Sequence, residues 1–401
     1  MRITLFIAML ALPLAAWANL PLTEAEAVRL GLARPDLTDL ERGVVQAAEA
    51  DALAAGRLPN PTLNYSRERI NGSPETIEQT WMLEQTFDLS GRRGLHREAA
   101  TRRVAAASAG NASRKLEYAA EIRRGFHDVL FRQETIRATE SWTQRFVRIE
   151  GMVGKLARAG EASGYDRRRL ARERQTAAAR LAAERAEHHR ALARLASLVG
   201  LPDAPALSGE LLPPPAPPLG ASLTRLDQRP DLLVLSRRAE AADLDGRAAQ
   251  RGSIPEVTVG IGPRLVDNGG TRDNGMALSL SLPLPVFDRQ QAERQRAAAE
   301  AQQARAEYRL ARARAEGELR ALHQQAERLR TTAIDYRAHA VAATPDLLRI
   351  AEAAYQGGES SLLELLDAYR GALEAETTAL ELEQRAREAR IEYDLITGSL
   401  E

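Results

Sequence analysis

Two apolar patterns alternate along this chain, and each occurs twice. The first has period two. In Thr62–Arg67, Leu63 and Tyr65 alternate with polar residues. Past the turn cluster Asn71-Gly72-Ser73-Pro74, Trp81, Leu83, Phe87 and Leu89 fall on one face, interrupted by Gln85. Met82, Glu84, Thr86 and Asp88 fall on the other. This predicts a β-hairpin. Further on, Val257, Val259 and Ile261 alternate with Thr258, Gly260 and Gly262. After the loop Asp267-Asn268-Gly269-Gly270, Leu278, Leu280, Leu282 and Leu284 alternate with Ser279, Ser281 and Pro283. That predicts a second hairpin whose last strand has an all-leucine face and ends at Pro285.

The second pattern is helical. Leu22–Leu53 reads as a helix, with Thr23 as N-cap and Glu26 three residues on. Gly56 ends it, and Leu58-Pro59-Asn60-Pro61 is extended. Ser90–Leu201 contains no proline. A helix of about 65 residues at ~1.5 Å per residue reaches about 100 Å, beyond any ordinary globular helix. Thr224–Arg251 is predicted helical with a break at Arg229-Pro230, and Arg289–Gln356 helical with a kink at Pro345. A last helix runs to Thr397-Gly398.

Gly357-Gly358 interrupts this second run, and Ser360 or Ser361 can cap the helix that restarts. Glu364 and Asp367 lie three apart, so their carboxylates share a face just inside a helical-hairpin tip. By spacing alone the pair also fits a solvated turn with surface acids. What singles it out is an earlier copy: Gly160-Glu161-Ala162-Ser163 matches Gly358-Glu359-Ser360-Ser361, and Asp166 matches Glu364. Arg34-Pro35-Asp36-Leu37 recurs as Arg229-Pro230-Asp231-Leu232, and Leu58-Pro59 as Ile254-Pro255, at nearly the same offset. The expected organisation is a signal peptide (1–18), a first structural repeat (19–202), a Pro-rich linker (203–222) and a second repeat (223–401).

Composition narrows the function. Lys+Arg and Asp+Glu are both 55, so the formal charge is zero and the basic field that nucleic acid requires is missing. Aromatics are only 4%, which favours long helices over a large globular core. With no cysteine, thiolate metal sites, disulfides and cysteine nucleophiles are excluded. At the N-terminus, Arg2, the apolar stretch Ile3–Ala16 and Ala16-Trp17-Ala18 read as a secretory signal cleaved before Asn19, with an N-terminal membrane anchor as the alternative. No cysteine follows that could carry a lipid.

The strands match the roughly 9–11 residues of a transmembrane β-strand, although a small buried sandwich also fits. Export and the leucine face favour the bilayer. Four strands cannot close a barrel, since single-chain barrels begin at about eight, and an open edge in hydrocarbon leaves backbone groups unsatisfied. Such a barrel must be shared between chains.

Together these stretches resemble the TolC-like outer-membrane efflux proteins. Leu58-Pro59-Asn60-Pro61, Gln85–Gly91, Leu282–Asp288 and Gly358–Arg370 carry the resemblance, which covers almost the whole mature chain. The likeness is strongest to the cobalt–zinc–cadmium resistance branch. It implies a mixed α/β membrane protein: long helical hairpins forming a periplasmic tunnel, and four β-strands per chain in a shared, trimeric, twelve-stranded barrel in the outer membrane. It implies a homotrimeric, passive conduit for heavy-metal cations, partnered by outer-membrane lipid, a periplasmic adaptor and an RND-type inner-membrane pump. It places Glu364 and Asp367 at the periplasmic constriction, Asp166, Tyr355 and Ser360 in a gate latch, and Gly160, Gly357 and Gly358 at the tips. Leu278, Leu280, Leu282 and Leu284 would face lipid. Some relatives carry a basic latch residue where this chain has Ser360, and Arg167–Arg169 are candidates to replace it.

No cofactor, metal site or catalytic residue is expected. P-loop, nucleophile-elbow and zinc-hydrolase patterns are absent from the sequence. His188-His189 point about 100° apart on a helix and make a poor chelate. The alternatives are a drug-efflux or type I secretion channel of the same architecture, or a periplasmic coiled-coil adaptor or scaffold.

Overall fold

The structure is a computed structural model that describes residues 21–158, 163–203 and 206–398. The expected signal segment and the first tip, with Gly160, lie outside the described residues. The chain opens with α1 (Glu24–Leu32), α2 (Pro35–Gly56), β1 (Thr62–Ile70), β2 (Thr76–Phe87), α3 (Arg92–Arg158) and α4 (Gly164–Val199). It continues with α5 (Leu219–Thr224), α6 (Pro230–Gln250), β3 (Val257–Asp267), β4 (Arg272–Ser281), α7 (Gln291–Tyr336), α8 (Ala342–Gln356) and α9 (Leu362–Thr397). No helix among the described residues is long and apolar enough to cross a membrane.

The chain divides into two compact units. The first takes the residues up to Pro35, Lys115–Ser222 and everything from Glu318; the second takes Asp36–Arg114 and Leu223–Gly317. The first unit is helical and has two cores. In one, Trp142, Phe146, Ile149 and Val153 of α3 meet Leu362, Leu365, Leu366, Tyr369 and Leu373 of α9, with Leu170 of α4 and Leu348 and Tyr355 of α8. Steps of three and four residues along α3 and α9 are those of a coiled-coil seam. In the other, Ala27 and Val28 of α1 pack on Ile122, Phe126 and Val129 of α3 and Leu195 and Val199 of α4.

Beside this second core lies a buried ionic cluster. Arg123 pairs with Glu24, and its Nη2 donates to Asp394 at 3.0 Å. His127 Nε2 lies 2.9 Å from Glu24, and Arg390 donates to Asp394 at 2.8 Å. Arg387 donates to the carbonyls of Glu210, Leu211 and Leu212, tying the segment before α5 to α9. The surrounding hydrogen bonds and charges of His127 and Arg123 outweigh burial and hold the Glu24 carboxyl at about 2. Burial, reinforced by Arg123 and Arg390, lowers Arg387 to about 10.

The second unit contains a four-stranded antiparallel sheet in the order β1-β2-β3-β4, with β1 and β4 as free edges. Gly262 sits where β3 closes on β2: a Cβ there would lie 1.7 Å from the carbonyl oxygen of Trp81, so only glycine fits. Helix α6 packs Ala241 and Leu244 on Ala99 of α3.

Three expectations are corrected. The single helix over Leu22–Leu53 is two, α1 and α2. Arg34 precedes Pro35, whose ring disfavours a helical conformation there, and Ala33 ends α1 by donating to Arg29 and Leu30. The irregularity expected at Pro345 falls one turn earlier, as a π-turn over Arg337–Val341. Pro345 has no N–H for the Val341 carbonyl and crowds it, and the wider turn absorbs the misfit. Finally, β4 ends at Ser281, so Leu282 and Leu284 are not strand residues. Pro283 and Pro285 have no N–H to continue the ladder.

Candidate functional site at the hairpin tips

The second tip is built by helix capping. Gly358 adopts φ +73°, the left-handed conformation that ends α8, and Glu359 and Ser360 donate their backbone N–H groups to Ala354. Ser361 is the N-cap of α9 and accepts from Glu364 N, while its own N–H donates to Glu364 Oε2 at 2.8 Å. The first tip closes identically at its C-terminal side. Ser163 caps α4, and its N–H donates to Asp166 Oδ2 at 3.1 Å. The repeated sequence therefore encodes one device twice: a serine and an acid three residues on, satisfying each other's orphan N–H groups.

Glu364 and Asp367 are both exposed on the first turns of α9. Glu364 is held by its capping bond, and Asp367 has no ion-pair partner among the described residues. Tyr355 is buried in the coiled-coil core. Its burial, then the charge of Asp166, pushes its hydroxyl upward in pKa, though no hydrogen bond joins the two among the described residues. Ser360 does not join them. Its hydroxyl is buried and has no hydrogen-bond partner among the described residues. Arg167 and Arg168 are exposed, and the buried Nε of Arg169 has no partner among the described residues.

Sequence reasoning missed the ties that hold α9 in place. Arg370 Nη2 pairs with Glu173 Oε1 on α4, and Tyr369 donates its hydroxyl to Glu352 on α8. Arg370 keeps the Glu173 carboxyl below its ordinary range, and burial with the Glu352 charge raises Tyr369. Glu173 and Arg370 lie 197 residues apart, a separation no local pattern reveals.

The sheet has a two-faced register. Leu63, Leu83, Ile261 and Leu278 stand side by side across all four strands, at 63%, 50%, 53% and 78% exposure. The neighbouring row on the opposite face is Thr62, Glu84, Gly260 and Ser279. An apolar row this exposed needs a covering apolar medium. Leu278 and Leu280 share that face; Leu282 and Leu284 are exposed beyond the end of β4. Among the described residues no group of three or more His, Asp or Glu could hold a metal ion.

Residues 224–399 match the outer membrane efflux protein family. The cobalt-zinc-cadmium resistance protein CzcC of Cupriavidus metallidurans is 26% identical over 393 residues, covering 96% of this chain and 90% of that protein. The chain is thus similar to outer-membrane efflux proteins in its second half, and over almost its whole length to a member of the heavy-metal resistance branch. The nickel-cobalt-cadmium resistance protein NccC of Alcaligenes xylosoxydans xylosoxydans is likewise 26% identical, over 256 residues, which cover 62% of this chain and 57% of NccC. The fold is that of the solved structure of CusC, at a TM-score of 0.78 and 19% identity, covering 94% of this chain and 92% of that one. Outer-membrane efflux proteins are passive channels rather than enzymes. The family that residues 224–399 match is one of outer-membrane proteins.

Proposed function

We propose that this efflux protein conducts heavy-metal cations out of the periplasm as the outer-membrane component of a three-part machine. In this reading three copies associate, because each chain offers a four-stranded sheet with two free edges, and twelve strands close a barrel that four cannot. Its apolar rows face lipid. The helical hairpins meet a periplasmic adaptor, and an RND-type inner-membrane pump supplies the energy. Residues 19–202 and 223–401 act as two structural repeats, each contributing one β-hairpin and one long helical hairpin.

The observation that carries the cation reading is the exposed pair Glu364 and Asp367 at the start of α9. Three copies around an axis make a ring of carboxylates, which favours cations and repels anions. Similarity to CzcC over 96% of the chain supports a metal cargo. Asp166 and Tyr355 serve as latch residues in the closed state, whereas Ser360 contributes only packing.

Metal tolerance tests this reading. Cells lacking the protein should become sensitive to cobalt, zinc or cadmium, and the wild-type chain should restore growth. Unchanged metal tolerance with altered drug tolerance would transfer the protein to the drug-efflux channels.

A further inference from the structure

Arg370 lies one helical turn beyond Asp367 on α9. An acid followed three residues later by an arginine shares a helix face with it, and the two ordinarily pair. Here they do not. The Arg370 guanidinium turns instead to Glu173 on α4, whose side chain is only 8% exposed, while that of Arg370 is 46% exposed. Asp367 is left exposed and without an ion-pair partner among the described residues. Arg172 also approaches Glu173, at 3.6 Å.

We propose that Glu173 is a specificity-determining residue of the channel, because it draws Arg370 away from Asp367 and leaves the Asp367 carboxylate free to act on passing cations. The inference rests on the gate reading of Glu364 and Asp367. Glu173 touches no cargo; it acts through Arg370. Its burial matters here. A carboxylate whose side chain is only 8% exposed holds a guanidinium more firmly than exposed Asp367 can, since solvent screens the exposed alternative. Remove the Glu173 charge, and Arg370 is released to the exposed acids one turn away on its own helix, Asp367 on one side and Glu374 on the other. The local charge of each chain at that level then becomes one unit more positive.

The test is the reversal potential of the purified full-length channel in a planar bilayer under a potassium chloride gradient. Four proteins are compared: wild type, D367N, E173Q and E173Q/R370Q. D367N should lower the cation-to-anion permeability ratio. E173Q should lower it by about threefold, the scale of one weakly screened surface charge. The double variant should return to the wild-type ratio, since the Arg370 charge that would neutralise Asp367 is gone. A merely structural role for Glu173 would leave the double variant at least as impaired as E173Q, and that result would overturn the proposal. So would an unshifted E173Q channel in which D367N still shifts. If D367N itself leaves the ratio unchanged, the gate reading fails first and takes this inference with it. An E173D channel with the wild-type ratio would add support, because it keeps the charge that holds Arg370.

Discussion

Ser361 and Glu364 cap one another: each supplies the oxygen that satisfies the other's backbone N–H at the start of α9. The carboxylate proposed to face the cargo thus also builds the helix that presents it. Charge and architecture can be separated here, because glutamine at this position also completes a capping box. E364Q should keep wild-type thermal stability yet lower the cation preference of the channel. S361A should do the reverse, costing about 1 kcal/mol of stability with its acid retained. Melting temperature and reversal potential, measured on both variants, check the separation.

Acid should loosen the first unit through Glu24. Its folded pKa of about 2 lies below its ordinary 4.5, so its stabilising contribution is complete above about pH 4.5 and fades as the pH falls towards 2. The shift corresponds to about 3 kcal/mol as an upper bound. His127 works in the same direction. Burial lowers its pKa, so protonation below about 6.5 is linked to unfolding as well. E24Q should therefore be markedly less stable than wild type at neutral pH, and the gap between their melting temperatures should shrink steadily below pH 4.5. A gap independent of pH would show that Glu24 acts through packing alone.

The exposed apolar row of the sheet sets a third expectation. L278R and S279R place the same charge at adjacent positions of β4, on opposite faces. If Leu278 faces hydrocarbon, L278R should cost about 2–4 kcal/mol and reduce the assembled protein in outer-membrane fractions, with S279R milder. Equal yields of the two would contradict the assignment of faces.

At the tip, neighbouring glycines should respond differently to alanine. Gly358 has φ +73° and needs a residue without Cβ, whereas Gly357 has φ −76° and does not. G358A should cost about 1 kcal/mol and speed proteolysis at the tip, while G357A should change it little. Cleavage rates of the two variants under native conditions read the difference.

The features legible in the sequence were those written locally. The serine-to-acid spacing of both tips, the Thr23 cap and the alternation of the strands each depend on residues a few positions apart. The Arg34-Pro35 break carried the same signal as Arg229-Pro230, yet the apolar rhythm on both sides of it reads as one helix. At β4 the leucine alternation runs on through Leu282 and Leu284, but the two prolines cannot join a ladder. Pairings such as Arg123 with Asp394, 271 residues apart, have no local trace. Nor does the choice of Arg370 between Asp367 and Glu173, because it depends on which carboxylate the fold shields from water.

The central claim is that the acidic tips act as a ring, which requires several copies around one axis. The most direct measurement is the native mass of the protein extracted in detergent from separated outer membranes. The account predicts a mass of three chains, each 43.9 kDa before removal of the expected signal segment. A monomer, or recovery from the soluble periplasm, would contradict both the shared barrel and the ring.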